Sequence, residues 1–82
     1  MHYAYILRSE KHPDKTYVGV TKDLEKRLYE HNSGESTYTK NLGPWKIEAY
    51  IAVKQKSTAE DLERYLKTGA GRTFISKRLV FH

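Results

Sequence analysis

The stretch that decides the fold is KTYVGVTKDLEKRLYEH, residues 15–31. Its first part, KTYVGV, is rich in β-branched and aromatic residues, which favour a strand. Thr21 and Asp23 then open a segment in which Leu24 and Leu28 lie one turn apart, and this pattern predicts a helix of about ten residues. The sequence therefore predicts a strand that runs directly into an amphipathic helix.

The segments on either side extend this pattern. Residues 3–8, YAYILR, have the same strand-forming character, and the turn-rich SEKHPDK that follows predicts a hairpin. Residues 32–44, NSGESTYTKNLGP, have no periodicity and predict a long exposed loop, a kind of segment that often carries function. Residues 45–53, WKIEAYIAV, predict a third strand. Strict alternation in this strand would place five residues on one face: Trp45, Ile47, Ala49, Ile51 and Val53.

The rest of the chain predicts helices. Thr58 with Asp61 resembles a capping box at the start of a second helix, and Gly69 is typical of a helix end. Residues 74–79 predict a last short helix. The order β-β-α-β-α-α indicates an α+β fold, a small three-stranded antiparallel sheet flanked by helices. We expect a single domain over residues 1–82.

Composition excludes several classes of protein. The 82 residues contain no cysteine, which excludes a disulfide framework and a thiolate zinc site and favours a reducing compartment. No apolar run approaches the roughly 20 residues that span a bilayer. The N-terminal sequence MHYAYILRSE lacks the zones of a signal peptide. We therefore predict a cytoplasmic protein that does not engage a membrane.

The net charge of +5 is unevenly distributed. Residues 1–53 hold eight Lys or Arg against seven Asp or Glu, whereas residues 54–82 hold seven against three. A basic half beside a neutral one is typical of a surface that binds a polyanion, because neutralised phosphates release counterions. Solvated lysines alone can also produce such an excess, so both interpretations stay open at this point.

Several residues have the types and spacing of a catalytic site. Arg27 and His31 lie four apart on the predicted helix and share a face, which is either a solvated surface or one wall of a site. Tyr5 and Tyr17 lie in neighbouring strands, where tyrosine usually serves packing. Gly19 is a poor strand residue and often marks a close approach, so we expect it to leave room beside Tyr17.

Glu63 precedes a tail without further acidic residues. It is either a salt-bridging surface residue or an anchor for a divalent cation. Mg²⁺ commonly takes only one or two protein carboxylates and completes its coordination with water and phosphate oxygens. A single glutamate beside a phosphate can therefore suffice.

Taken together, these segments resemble the GIY-YIG nuclease family. The resemblance rests on the triplets YAY at residues 3–5 and YVG at residues 17–19, then TKDLEKRLYEHNSG, GPWKIEAYIAV and A-x-x-x-E-R-Y-L-K-T-G-A-G-R. The chain is most similar in character to small stand-alone members related to the N-terminal nuclease domain of the excision-repair incision subunit. The resemblance covers nearly the whole chain, so we expect no additional DNA-binding domain.

The resemblance implies a divalent-metal-dependent endonuclease that cleaves DNA with low sequence specificity, in repair or recombination, with one Mg²⁺ or Mn²⁺. It implies that Tyr5 and Tyr17 are the active-site tyrosines, either of which could be the general base. It implies that Arg27 binds phosphate, that His31 accepts a proton and that Glu63 binds the metal. The chemistry fits, since hydrolysis needs an activated water and neutralisation of phosphate charge.

Two departures from the family pattern stand out. Tyr3 replaces the leading glycine of the first triplet, and the asparagine that many members place after the glutamate has no counterpart, since the last asparagine is Asn41. Polar and basic residues elsewhere would position the nucleic-acid backbone without reading its sequence. These predicted contacts are Thr37, Tyr38, Lys40, Lys54, Lys67 and Arg72.

Three hypotheses follow from the sequence. The chain is a DNA endonuclease, a non-catalytic nucleic-acid-binding module on the same fold, or a structural domain whose basic tail is incidental. The first is favoured because the catalytic positions other than the asparagine hold competent residue types. RNA remains an alternative to DNA as the nucleic acid.

Overall fold

The computed structural model describes residues 1–35 and 38–79. In chain order the strands and helices are β1 (His2–Ser9), β2 (Thr16–Thr21), α1 (Leu24–Asn32), β3 (Trp45–Val53), α2 (Lys56–Leu66) and α3 (Gly69–Phe74), followed by a π-helical turn (Ile75–Leu79). The predicted α+β class and element order are therefore confirmed.

The sheet is antiparallel with the order β2-β1-β3, so β1 lies at its centre. Helices cover both faces of the sheet, and four consecutive residues of β1, Ala4 to Leu7, are consequently buried. One face packs α2 and the chain after it, through Ile6, Val18, Leu66 and Ile75. The other face packs α1, through Tyr5, Leu7 and Trp45 with Leu24 and Leu28 beside them.

A β-bulge in β3 changes which residues face the core. Ile6 pairs with Ala49 and Leu7 pairs with Ile47, so Glu48 is the extra residue. Ile47 consequently packs on the α1 side of the sheet and Ala49 on the α2 side. The prediction of one continuous apolar face along β3 is wrong, because the extra residue shifts the alternation by one position.

The first helix begins where the sequence indicates. Asp23 is the N-cap of α1, and its side chain accepts a hydrogen bond from the Lys26 backbone N–H at 3.1 Å. The second helix begins earlier than predicted, at Lys56 after the N-cap Gln55. Thr58 therefore lies inside the first turn of α2, and the predicted capping box is wrong.

The end of α2 also differs from the prediction. The helix ends at Leu66, and Gly69 begins α3 instead of ending α2. The Thr68 side chain caps α3 by accepting a hydrogen bond from the Gly71 N–H at 3.1 Å. A side chain on Gly71 would lie 2.0 Å from the Tyr65 carbonyl oxygen, so the tight packing of α3 on α2 requires a glycine at that position. The predicted helix at residues 74–79 is the continuation of this segment as a π-helical turn.

Candidate active site

A buried tyrosine hydroxyl forms the centre of the site. Tyr5 lies on β1 and is only 2% exposed. Its hydroxyl lies 2.9 Å from His31 Nε2 and accepts a hydrogen bond from Arg27 Nε at 3.2 Å. Since Arg27 and His31 are one turn apart on α1, the helix brings both side chains to the same oxygen atom. We call Tyr5, Arg27 and His31 the polar cluster.

The polar cluster continues into the loop before β3. His31 is 1% exposed, and its Nδ1 lies 2.7 Å from the hydroxyl of the fully buried Thr39. The Thr39 carbonyl in turn accepts a hydrogen bond from the Trp45 indole N–H at 2.9 Å. Thr39 is a residue that the sequence did not single out, because nothing in the polar stretch STYTK distinguishes a buried threonine from a solvated one.

Asn32 ties the two ends of this loop together. Its amide oxygen accepts the backbone N–H of Trp45 at 2.6 Å, and its amide nitrogen donates to the Trp45 carbonyl at 3.0 Å. The Trp45 ring is 2% exposed, as expected for a core residue. The loop is therefore anchored at the end of α1 and at the start of β3, and this anchoring places Thr39 beside His31.

Burial and charge set the protonation of the cluster. Burial, aided by the positive charge of Arg27, lowers the pKa of His31 below its usual value, with a small opposing effect from Glu30. Burial raises the pKa of the Tyr5 phenol, although the hydrogen bond from Arg27 opposes the shift. Burial would lower the pKa of Arg27, but its hydrogen bonds to Tyr5 and Glu30 raise it instead. At neutral pH the cluster consequently holds a neutral imidazole, a neutral phenol and a cationic guanidinium.

Gly19 accommodates the Tyr5 ring. The two residues are partners across the β1–β2 ladder, and a Cβ on Gly19 would lie 2.5 Å from the Tyr5 hydroxyl oxygen. From the sequence, Gly19 is expected to leave this space beside Tyr17. The structure places the Tyr5 ring in that space instead, because Tyr5 on β1 is the cross-strand partner of Gly19.

Tyr17 lies where the polar cluster opens to solvent. It is half-buried, and its ring centroid lies 4.8 Å from that of His31, 6.3 Å from that of Tyr5 and 5.7 Å from that of Tyr38. The Lys67 ammonium lies 5.9 Å from the Tyr17 ring centroid. Tyr17 is thus the more accessible of the two tyrosines predicted for the site.

Glu63 lies on α2, and its side chain is 27% exposed. Its Oε2 atom accepts a hydrogen bond from the Lys67 ammonium at 3.0 Å. Burial is the main cause of the raised pKa of Tyr5, and the negative charge of Glu63 adds to it, so the carboxylate acts on the polar cluster. Within residues 1–35 and 38–79, no group of three or more His, Cys, Asp or Glu could hold a metal ion. The donor set fits a cation that takes one protein carboxylate and fills its other positions with water and phosphate oxygens, as Mg²⁺ does.

A groove of about 850 Å³ adjoins Tyr17. It lies between the β1–β2 turn, the outer edge of β2 and the segment from the end of α2 through α3 into the π-helical turn. Three of the predicted nucleic-acid contacts line it: Tyr38, Lys67 and Arg72. Lys40 and Lys54 are exposed and are not among its lining residues, and Thr37 lies outside the described residues. Lys15 also lines the groove, and it is a basic residue outside the set of contacts predicted from the sequence.

Among the described residues, no helix is both long and apolar enough to cross a membrane.

Comparisons with known proteins give concordant results. The family model described as the GIY-YIG catalytic domain matches residues 1–74. The UPF0213 protein of Clostridium perfringens is 37% identical over 68 residues, which cover 82% of this chain and 71% of that protein. The UPF0213 protein YsiG of Lactococcus lactis subsp. lactis is 43% identical over 68 residues, which cover 80% of this chain and 62% of that protein. The solution NMR structure of the UPF0213 protein of Bacillus halodurans has a TM-score of 0.55 and 29% identity, covering 95% of this chain and 85% of its own.

Proposed function

The chain belongs to the GIY-YIG family, whose members are typically endonucleases, and from this premise we propose that it is a divalent-metal-dependent DNA endonuclease. It hydrolyses phosphodiester bonds with low sequence specificity, in DNA repair or recombination in the cytoplasm. The observation that supports this most strongly is the convergence of Arg27 and His31 on the Tyr5 hydroxyl. Such a cluster, beside a groove with basic residues, suits a reaction at a phosphate.

Arg27 binds the phosphate in this proposal. Its Nε donates to Tyr5 and its Nη1 donates to Glu30 at 3.1 Å, which fixes the plane of the guanidinium. The Arg27 side chain is 34% exposed, so the Nη2 end can reach a phosphate oxygen. A planar, permanently charged group with several fixed donors suits the charge that develops on phosphorus.

The two tyrosines have different tasks. The Tyr5 hydroxyl is shielded from solvent and already bonded to His31 and Arg27, so it positions both side chains. Tyr17 is accessible from the groove; its hydroxyl first gives up its own proton to solvent, and the resulting phenolate oxygen then takes a proton from the attacking water. The water oxygen bonds to phosphorus, the bond from phosphorus to the 3′ oxygen breaks, and the departing oxygen takes a proton from solvent.

His31 and Lys67 support this proton transfer. His31 is neutral at neutral pH, and its Nε2 lies 2.9 Å from the Tyr5 hydroxyl, so it can accept the proton of that hydroxyl in the course of turnover while its ring packs against the Tyr17 ring. The Lys67 ammonium near the same ring stabilises negative charge that develops on the phenol oxygen.

Glu63 holds the metal. GIY-YIG nucleases generally use divalent metal ions, and Mg²⁺ or Mn²⁺ fits a single carboxylate with water and phosphate as the other ligands. When bound, the ion neutralises charge on the scissile phosphate and on the departing oxygen. Lys67 bonds one oxygen of the Glu63 carboxylate and must share that carboxylate with the ion.

Contacts to the DNA backbone explain the low specificity. Lys67 and Arg72 line the groove, and Lys40 and Lys54 are exposed basic residues outside its lining. Such cations bind phosphates of any sequence.

A second function is favoured by the Lys67–Glu63 ion pair. The Lys67 ammonium already neutralises the Glu63 carboxylate, so Glu63 needs no metal ion to balance its charge. This arrangement suits a non-catalytic nucleic-acid-binding module. The two functions differ in whether the carboxylate takes up a metal.

Metal titration with Glu63→Gln separates them. We expect the intact protein to bind Mn²⁺ and to cleave labelled DNA, and we expect Glu63→Gln to lose both properties while it still binds DNA in EDTA. Glu25→Gln on the exposed start of α1 is the matched control. DNA binding by the intact protein without Mn²⁺ uptake and without cleavage would favour the binding module.

A further inference from the structure

The groove beside Tyr17 is lined by apolar and aromatic side chains as well as by the charged side chains that bind a phosphate backbone. Val18, Leu66 and Ile75 line it, and all three are buried members of the core on the α2 side of the sheet. Phosphates and sugars are bound by charged and polar groups, so a surface that binds only the backbone needs no apolar lining. These three residues are at most 7% exposed and form only the floor of the groove, so the apolar surface that a ligand can reach is chiefly that of the aromatic rings beside it.

An exposed aromatic ring stands at the same groove. Tyr38 is 61% exposed, although its ring lies only 5.7 Å from that of Tyr17. An accessible aromatic face is a stacking platform for a nucleobase, and stacking tolerates any base because every base has a π-face. Tyr38 and Tyr17 thus connect the apolar lining of the groove with the polar cluster.

Charge at the groove complements a nucleotide. Among the described residues, the lining includes three cations, Lys15, Lys67 and Arg72, against one acid, Asp14. Cations beside an apolar, aromatic pocket suit a ligand that carries a flat base and flanking phosphates.

We propose that this groove binds one unpaired nucleobase of the substrate strand next to the scissile phosphate, with Tyr38 as the stacking platform. The proposal rests on the nuclease function above and deepens it, because it identifies single-stranded or splayed DNA as the preferred substrate class. In a duplex both faces of a base are covered by its neighbours, so a duplex leaves the exposed Tyr38 ring uncovered. An unpaired base can stack on that ring.

The test measures binding without cleavage. Oligonucleotides that carry one 2-aminopurine, single-stranded or in a duplex, are titrated in EDTA while the fluorescence of the base and the anisotropy of an end label are followed. The intact protein should quench 2-aminopurine in the single strand and bind that strand more tightly than the duplex. Tyr38→Ala should weaken single-strand binding by roughly 5- to 150-fold, the usual range for removal of a stacking ring. Its duplex affinity should stay unchanged.

Three further variants complete the design. Tyr38→Phe keeps the ring and should retain single-strand binding. Tyr29→Ala removes another exposed tyrosine, on α1 outside the groove lining, and should change nothing. Ser76→Glu puts a negatively charged, non-aromatic side chain into the groove from its exposed rim and should abolish the quenching even if Tyr38→Ala disturbs its loop.

The proposal is overturned if Tyr38→Ala weakens single-strand and duplex binding equally, if Ser76→Glu leaves the quenching intact, or if the protein binds no DNA. Cleavage is scored separately. A protein that cuts duplex DNA without engaging Tyr38 would disprove the base-binding groove and keep the nuclease. A protein that quenches the unpaired base through Tyr38 but never cuts DNA would support the base-binding groove and disprove the nuclease.

Discussion

The contact between Gly19 and Tyr5 yields a quantitative prediction for Gly19→Ala. The added Cβ would lie 2.5 Å from the Tyr5 hydroxyl oxygen and 2.6 Å from Cζ. Even a close C–H···O contact has a carbon–oxygen distance of about 3.3–3.6 Å, so the two groups must separate by roughly 1 Å. Tyr5 is 2% exposed and bonded to both His31 and Arg27, so it cannot move by this amount freely.

The free-energy cost has two parts. Overpacking of a buried site costs about 1–3 kcal/mol. Loss of a buried hydrogen bond at the Tyr5 hydroxyl costs about 1–3 kcal/mol more. We therefore expect Gly19→Ala to lower the free energy of unfolding by about 2–6 kcal/mol. For a domain of 82 residues the whole free energy of unfolding is about 4–12 kcal/mol, so the change is large.

Urea unfolding followed by tryptophan fluorescence measures this change. Trp45 is the one tryptophan of the chain, and it packs in the same cluster as Tyr5. Gly69→Ala is the matched control, because an added Cβ at Gly69 meets nothing within 4 Å. That control should be neutral or stabilising by up to about 1 kcal/mol. Equal unfolding midpoints for Gly19→Ala and the intact protein would refute the packing argument.

Tyr17 and Thr39, which contact His31 of the polar cluster, and the members Tyr5 and His31 give further predictions. Tyr17→Phe should abolish cleavage and leave the free energy of unfolding unchanged, whereas Tyr5→Phe should lower the cleavage rate and the free energy of unfolding. Urea unfolding and DNA cleavage of the two variants test this, and cleavage by Tyr17→Phe would contradict it. Thr39→Val removes the hydroxyl that lies 2.7 Å from His31 Nδ1, so it should lower the free energy of unfolding by about 1–3 kcal/mol and shift the His31 imidazole ¹⁵N resonances. Thr39→Ser keeps the hydroxyl and should restore the stability and the resonances. Acidification from pH 7 to pH 5 should cost stability through His31: the unfolded imidazole ionises near its usual pKa of about 6.5, while the folded imidazole has a lower pKa and binds fewer protons in that range. Urea unfolding of His31→Gln at both pH values should show a smaller loss, and an equal loss would contradict this.

Local patterns in the sequence predict much of this fold. The order of strands and helices follows from periodicity and turn residues, and the helix that carries Arg27 and His31 follows from its spaced leucines and its cap. The four-residue spacing of Arg27 and His31 also predicts that they share a face. That both reach the Tyr5 hydroxyl depends on how α1 packs on the sheet, which no local pattern contains.

The features that the sequence does not predict depend on contacts between distant segments. The bulge at Glu48 is set by the pairing of β3 with β1, so alternation within β3 alone gives the wrong face for Ala49. Thr39 is buried because Trp45 anchors its loop, and a threonine in a polar stretch carries no local sign of burial. The partner of Gly19 lies on the neighbouring strand and could only be identified from the register.

The most direct test of the central claim is single-turnover cleavage of end-labelled single-stranded, duplex and branched DNA with Mg²⁺ or Mn²⁺, comparing the intact protein with Arg27→Lys. Lysine keeps the charge but cannot bond Tyr5, Glu30 and a phosphate through one planar group. We expect metal-dependent cleavage by the intact protein, a fall of at least about 100-fold in the rate for Arg27→Lys, and unchanged DNA binding in EDTA. Arg64→Lys on the exposed face of α2 should cut as the intact protein does. Equal cleavage rates for Arg27→Lys and the intact protein would contradict the role of the polar cluster, and no metal-dependent cleavage of any of these DNAs would contradict the nuclease itself.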